Sequence, residues 1–504
     1  MNAVTNKPTV IIVGAGTAGS LICSKIASSF DVTVFEKSSK KKTPLLNKIP
    51  LLIGLLYTEK NNYIRRKNLE FDLTRSVPLF ESNVVGGSSV INGCVHVLGL
   101  YSKWHRFLKK FKFGLNDMER SYANNFSRKN ERNKISLRFS RPSNLDQAFQ
   151  KALQQLGVKI GQTDFMNEQT CGPVVNTARR IFRSSVSDFK PYRNANLILN
   201  KKVTNLLVNE KNKITGVIAD GVDYRADHVI LTAGVIGSNE LMLRPAVRAD
   251  DREKIDLNLP VGKGIKDHVN LRINVNSDER IESLNIINSS LNQKVWMMFK
   301  HLIGLGTLLS GTGATSSANL DVDGDGVVDT RINLLNFSER GRLGSNGAYF
   351  DGMIHGFSLS ISSINPLSEG EIYLVEGGDC RVRPNYLQNQ TDIENINKAI
   401  DRCLALLRVS PLSDYVMSIQ GEQKILNDRE GFLRENSYSG YHLIGGCHHI
   451  VNENFQVSDV GNLYICDASI FDEFLSSNIH APVVIVADLF AKRFLSNKRV
   501  KHEI

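Results

Sequence analysis

No stretch of 18 residues in this chain is both apolar and uncharged, which argues against an integral membrane segment. The most apolar candidate, residues 295–309, carries Lys300 and His301 and reads as a buried helix or pocket wall. Cysteine is sparse and unpatterned. The seven, at positions 23, 94, 171, 380, 403, 447 and 466, form no C-x-x-C and no metal-ligand spacing. An odd number without a regular framework argues against a disulfide scaffold and for a reducing compartment. No signal peptide is visible, because the first apolar run belongs to the unit described below, and a cytoplasmic location is expected. A nucleic-acid module is also missing. The net charge of +11 over 504 residues comes from Lys and Arg scattered among acids, with short basic runs only at 40–42 and 109–112. Such a charge reads as a solvated face that can attract an anionic partner.

What the chain does have is a strongly patterned opening, TVIIVGAGTAGSLICSKIASSFDVTVFEK, from Thr9 to Glu36. An apolar strand, Val10 to Val13, leads into Gly14, Gly16 and Gly19 in G-x-G-x-x-G spacing, with Thr17 and Ala18 between the last two. A helical segment, Ala18 to Ser28, and a second strand, Val32 to Phe35, end at an acid, Glu36. The first glycine makes a tight turn, the second lets backbone approach a pyrophosphate, and the third lets the helix pack on its strand. The diphosphate of a dinucleotide sits at the helix N-terminus, where unpaired N–H groups and the dipole favour negative charge. Glu36 suits the hydroxyls of an adenosine ribose and opposes a 2′-phosphate. This unit alone does not choose between FAD and NAD.

The length calls for two intimately joined domains. A glycine-rich run, VVGGSSVINGCVHVLG at 84–99, suits close backbone passage along a flat ligand. Helices are expected at about 115–126 and 145–156, and a β-hairpin within 195–221. The segment 228–243, a strand, a glycine turn and a helix, looks like a second visit to the opening sheet. Between about 265 and 425 the pattern changes to strands at 269–275, 330–337, 353–361 and 371–375 and a helix at about 392–408. The block 462–495 then returns to strand-then-helix character, with Pro482 near a helix start. The fold class is therefore α/β: a Rossmann-like parallel-sheet domain with an inserted α+β domain on a mainly antiparallel sheet. The expected boundaries are 8–264 for the first domain, with scaffold and lid segments at 40–80 and 100–145, then 265–435 for the second. Residues 436–504 complete the first. The run KIPLLIGLLY at 48–57 is expected to be a buried helix or channel lining. In DVDGDGVVD, Asp321, Asp323, Asp325 and Asp329 fall at positions 1, 3, 5 and 9 of an EF-like loop. Position 12 is Ile332, so the bidentate ligand is missing and a surface turn is favoured over calcium.

His442, His448 and His449 cluster near 440–449, and His480 precedes a helix. No local carboxylate completes a zinc or iron triad. The ordered series VGAGTAGS with Glu36, GGSSVINGCVHVLG, AGVIGSNELML, LPVGKGIKDH, YHLIGGC and NLYICDASI…NIHAPVVIVAD resembles the glucose–methanol–choline oxidoreductase family, FAD-dependent alcohol oxidases and dehydrogenases. The resemblance implies FAD. It implies that Gly14, Gly16, Thr17, Ala18 and Gly19 hold the pyrophosphate and Glu36 the adenosine ribose. Gly87, Ser88 and Asn92 would lie along the diphosphate, ribityl and isoalloxazine portion, and the Val203 backbone would meet adenine. Asp267 and His268 would lie beside the cofactor, with Asp467, Ala468, Ala481 and Pro482 as closing contacts. His442 matches the catalytic base and His480 the second catalytic position. Some members bind FAD covalently through a His just before Asn92; here that residue is Ile91, so FAD is expected to be non-covalent.

The chain departs from the family's pattern at Met242 to Pro245, at Asn239 in place of Pro, at Leu443 in place of Pro and at Gly446 in place of Thr. These changes leave the substrate open. The reaction implied is oxidation of a small-molecule alcohol, with the hydroxyl proton going to a neutral His and a hydride to FAD. Electrons would then pass to oxygen or another acceptor. A hydroxynitrile lyase of the same family and a non-catalytic flavin-binding scaffold remain as alternatives, and an NAD-dependent dehydrogenase is weaker. Oligomeric state is not legible.

Overall fold

The opening apolar run forms β1 (Thr9–Val13), with Val10, Ile11 and Ile12 at most 3% exposed. The computed structural model describes residues 7–499, except 43–47, 51–61, 72–74, 164–167, 190, 286–290, 304–312, 341–348 and 351–354. After β1 come α1 (Thr17–Ile26), β2 (Asp31–Phe35), β3 (Asn196–Ile198), β4 (His228–Leu231), α2 (Gly234–Leu243), β5 (Leu463–Ile465) and α3 (His480–Arg499). The strands make one parallel sheet in the order β3-β2-β1-β4-β5. Parallel strands are covered on both faces and so read as unbroken apolar runs. Val229, Ile230 and Leu231 are fully buried beside β1. α1 and α3 pack on each other, so the N- and C-terminal parts of the chain share one layer. Pro482 fits the first turn of α3, where N–H groups have no intrahelical acceptor.

Strands 203–208 and 214–219 form the expected antiparallel hairpin, extended by 222–225. The large second sheet runs 418–419, 269–276, 356–363, 330–335, 314–320, 170–173, 159–160, antiparallel except at its last pair. Its last two strands come from before residue 265. The expected helices appear at Leu115–Asn125, Asn144–Gln155 and Gln390–Leu406. Ser143 caps the second of these, reciprocally with Asp146.

Residues 295–302 lie in a helix, Leu291–Leu302, whose Met297 packs against a buried cluster but whose other apolar side is exposed, and residues 304–309 of the run lie outside the described residues. Val295, Trp296 and Phe299 are 60%, 56% and 49% exposed. Their spacing puts them on one face that nothing among the described residues covers, which corrects the buried-helix reading. Most of the run 48–57 lies outside the described residues. No helix among the described residues is long and apolar enough to cross a membrane.

A smaller sheet, in the order 380–383, 370–374, 263–266, 444–446, positions the histidines. Lys266 pairs with Ile444, and beyond it Val269 pairs with Ser439. Residues 267–268 and 440–443 are the stretch between these two pairings. The register thus sets Asp267 and His268 against His442, some 175 residues later.

Candidate active site

The glycine turn is built as its spacing demands. Gly14 has φ +103° and donates its N–H to Phe35 O at 2.8 Å. A Cβ on Gly19 would collide with the Gly14 carbonyl, so the helix can approach only with glycine there. At Gly16 an added Cβ meets no atom within 4 Å, so this part of the turn faces open space. The second glycine turn docks on the first: Gly86 N–H donates to Ala15 O at 2.8 Å, and Ser88 is exposed beside it. Thr17 and the buried Ala18 start α1 above this slot. A groove lined by backbone at a helix N-terminus fits a diphosphate. Glu36 is 7% exposed and accepts from Ala15 N and Ser38 N, each at 2.8 Å. Each carboxylate oxygen keeps a lone pair for a ribose hydroxyl. Backbone bonds from Asn200 to Ser38 and from Lys201 to Glu36, each 3.0 Å, bring Val203 near that end. The residues present fit an adenine dinucleotide.

His442 is held twice. Its backbone N–H donates to Asp267 Oδ1 at 2.9 Å, and its ring Nδ1 lies 2.7 Å from His268 Nε2. Asp267 Oδ2 accepts from the hydroxyls of Tyr386 and Ser439. The resemblance puts Asp267 beside the cofactor; in the structure its carboxylate anchors the His442 segment. Burial pushes the Asp267 carboxyl up, against His268 and these hydrogen bonds. Burial holds His442 well below the usual imidazole range, helped by His268. Burial also lowers His268, with Asp267 pulling the other way. Among the described residues, His442 Nε2 has no hydrogen-bond partner.

His480 opens α3, and its Nε2 is buried without a partner. Its pKa is lowered to about 4 by burial and then by Arg183. No hydrogen bond joins His480 to His442 among the described residues. Asp467 caps α2, accepting from Gly234 N at 2.9 Å and Ser238 Oγ at 2.6 Å, and so ties the end of β5 to the turn at Gly234 between β4 and α2. Ala468 and Ala481 are buried nearby in sequence, at 4% and 2% exposure. His448 is buried and its ring lies against that of the exposed His449, tilted by 46° with centroids 3.9 Å apart.

Two departures from the family pattern face each other. Gly446 has φ +93°, and a Cβ there would collide with the Asn239 amide, which donates to Gly445 O at 3.1 Å. Asn239 fills the space that a side chain at 446 would need. In the acidic loop, the carboxylates of Asp321, Asp323 and Asp325 lie within 4.8 Å of one another. Asp329 turns inward instead and accepts from Val322 and Asp323 amides, and burial raises it to about 6. Sequence reasoning missed Tyr386, Ser439, Arg183 and His96 as neighbours of the candidate catalytic residues and Asn92. None has a local motif to flag it.

Models of the GMC oxidoreductase family match residues 9–270 and 366–487. The chain belongs to the GMC oxidoreductase family, and membership supports FAD as cofactor and oxidation of a CH–OH donor. It is similar to an oxygen-dependent choline dehydrogenase of Photobacterium profundum, 25% identical with 97% of this chain and 93% of the relative covered. Among solved structures it resembles pyridoxine 4-oxidase from Mesorbium loti, with TM-score 0.79, 18% identity, and 97% of this chain and 99% of that one covered. A formate oxidase variant of Aspergillus oryzae gives TM-score 0.82 at 16% identity, over 98% and 100%. At these identities the structural likenesses establish the fold.

Proposed function

We propose that the protein oxidises an alcohol to a carbonyl, with His442 as the base and His480 positioning the substrate oxygen. The observation that carries the reading is the double hold on His442, by Asp267 on its backbone and by His268 on its ring. A base at Nε2 needs a lone pair there. That requirement places the ring proton on Nδ1, which then donates to His268 Nε2. Uptake of the hydroxyl proton at Nε2 leaves this bond in place. The buried Nε2 of His480 supplies a second polar atom to fix the oxygen and aim the C–H bond. FAD held non-covalently along residues 14–19 and 86–92 would supply the two-electron acceptor, with oxygen or another acceptor taking the electrons on. Both histidines are held below the usual imidazole range, so both are neutral at neutral pH and keep a ring lone pair.

The test is anaerobic. FAD-loaded protein should lose its oxidised-flavin absorbance with at least one member of a panel of neutral, anionic and cationic alcohols. A protein that takes up no FAD, or whose flavin no alcohol bleaches, contradicts the proposal.

A further inference from the structure

Arg183 ends a two-residue strand and is 6% exposed. Its Nη1 donates to the Asn92 backbone oxygen at 2.7 Å and to the Asn92 side-chain oxygen. Its Nε and Nη2 are buried with no hydrogen-bond partner, and no carboxylate pairs with it among the described residues. A buried guanidinium without a counter-charge is among the costliest arrangements in a folded chain. Buried donors are nearly always satisfied. The surroundings add positive charge: Arg183 acts on His480, and His480, Arg128 and Arg331 act on the buried His96. His480 Nε2 and His96 Nδ1 are likewise buried and unpartnered. Arg183 therefore ties a neighbourhood of cations and unpartnered donors to Asn92, in the turn that the FAD reading lays along the cofactor.

We propose that Arg183 is an anion-holding residue of the loaded site, its Nε and Nη2 donors bonding negative charge beside His480. The proposal rests on the FAD-dependent reading above. The charge has two possible sources. Alcohol oxidation breaks one O–H and one C–H bond. The hydroxyl proton goes to His442, and a hydride, one proton with two electrons, goes to FAD, which gains one negative charge. Alternatively the substrate itself carries a carboxylate. A cationic alcohol would meet like charge here.

Wild type, Arg183→Gln and Arg183→Lys are compared with FAD bound. Flavin absorbance per protein reports loading. Sulfite, which adds to oxidised flavin and leaves negative charge on the ring, reports one source; acetate against acetamide as inhibitor reports the other. If the ring is the source, Arg183→Gln binds sulfite at least tenfold more weakly, and a matching tenfold change in the two-electron equilibrium is about 30 mV. If a substrate carboxylate is the source, sulfite affinity holds, and the preference for acetate over acetamide falls tenfold. Arg183→Lys keeps the charge without the fork and should lose less of either. Sulfite and acetate affinities within twofold of wild type in loaded Arg183→Gln overturn the proposal. Should Arg183→Gln load no FAD, Arg183→Lys decides by the same readings. A wild type that loads no FAD overturns the cofactor reading, and this proposal with it, before any variant is made.

Discussion

Replacing Asp267 separates anchoring from direct chemistry. Its carboxylate accepts three hydrogen bonds, from His442 N–H and the hydroxyls of Tyr386 and Ser439, at 4% exposure. Bonds to a charged acceptor contribute roughly 1.5–3 kcal/mol each, and a buried donor left unmade costs about 1–3 kcal/mol. Asp267→Ala strands all three donors. Allowing for relaxation and water entry, a destabilisation of about 3–5 kcal/mol is expected, at the top of the range for single substitutions. Asp267→Asn can keep its oxygen on His442 N–H and turn its amide donors to the two hydroxyl oxygens, so about 1 kcal/mol is expected. Urea-unfolding midpoints with their slopes measure stability, and anaerobic bleaching of flavin by alcohol measures the site. Asp267→Ala should bleach far more slowly than Asp267→Asn. Refutation comes if Asp267→Ala unfolds and bleaches like wild type. Equal damage from both variants also refutes the reasoning, since it would make the charge, and not the acceptors, decisive.

Two glycines make a paired test of the cofactor cradle. Gly16→Ala meets no protein atom and should fold with unchanged stability but lose FAD affinity at least tenfold, whereas Gly19→Ala collides with the Gly14 carbonyl and should lose stability as well; calorimetry with and without FAD distinguishes them. Acid should destabilise the fold through buried histidines. His96 is lowered to about 3, chiefly by burial, from 6.5. Below pH 6.5 the unfolded chain therefore binds a proton that the folded chain refuses. The contribution is complete above 6.5 and is lost as pH falls toward 3, amounting to about 2 kcal/mol by pH 5. Urea midpoints at pH 7 and 5 check this, and His96→Asn should shrink the difference. Because His480 is also lowered, the same direction holds for it.

The fold was most legible where one local pattern sufficed. The unbroken apolar run before Gly14, the acid after β2, the hairpin at 203–219 and the closing strand at 463–465 all carry their periodicity within a few residues. Long-range pairing was not legible in the same way. Strand 170–173 joins the large sheet through 316–319, about 145 residues away, and carries its short parallel neighbour 159–160 with it; no local pattern names the distant partner. The exposed helix at 291–302 has the composition of a buried one, because composition records apolarity and not what covers it. In the site, His442 and His480 stood out by their segments. The ring contact between His442 and His268 follows only from the register of 263–266 against 444–446 and of 269–270 against 438–439. Arg183 lies in an ordinary Arg-Ser run, and nothing near it in the chain marks its burial. Asn239 and Gly446 appeared as two separate oddities; packed together, they are one change.

The most direct measurement is stopped-flow reduction of bound FAD, without oxygen, by an alcohol that wild type accepts, in wild type and His442→Ala. With His442 as the base, the variant should keep FAD affinity within a few-fold and lose at least about a hundredfold in the reduction rate, the low end of what a positioned base supplies. Reduction at the wild-type rate in a fully loaded His442→Ala would show that His442 takes no proton in the reaction.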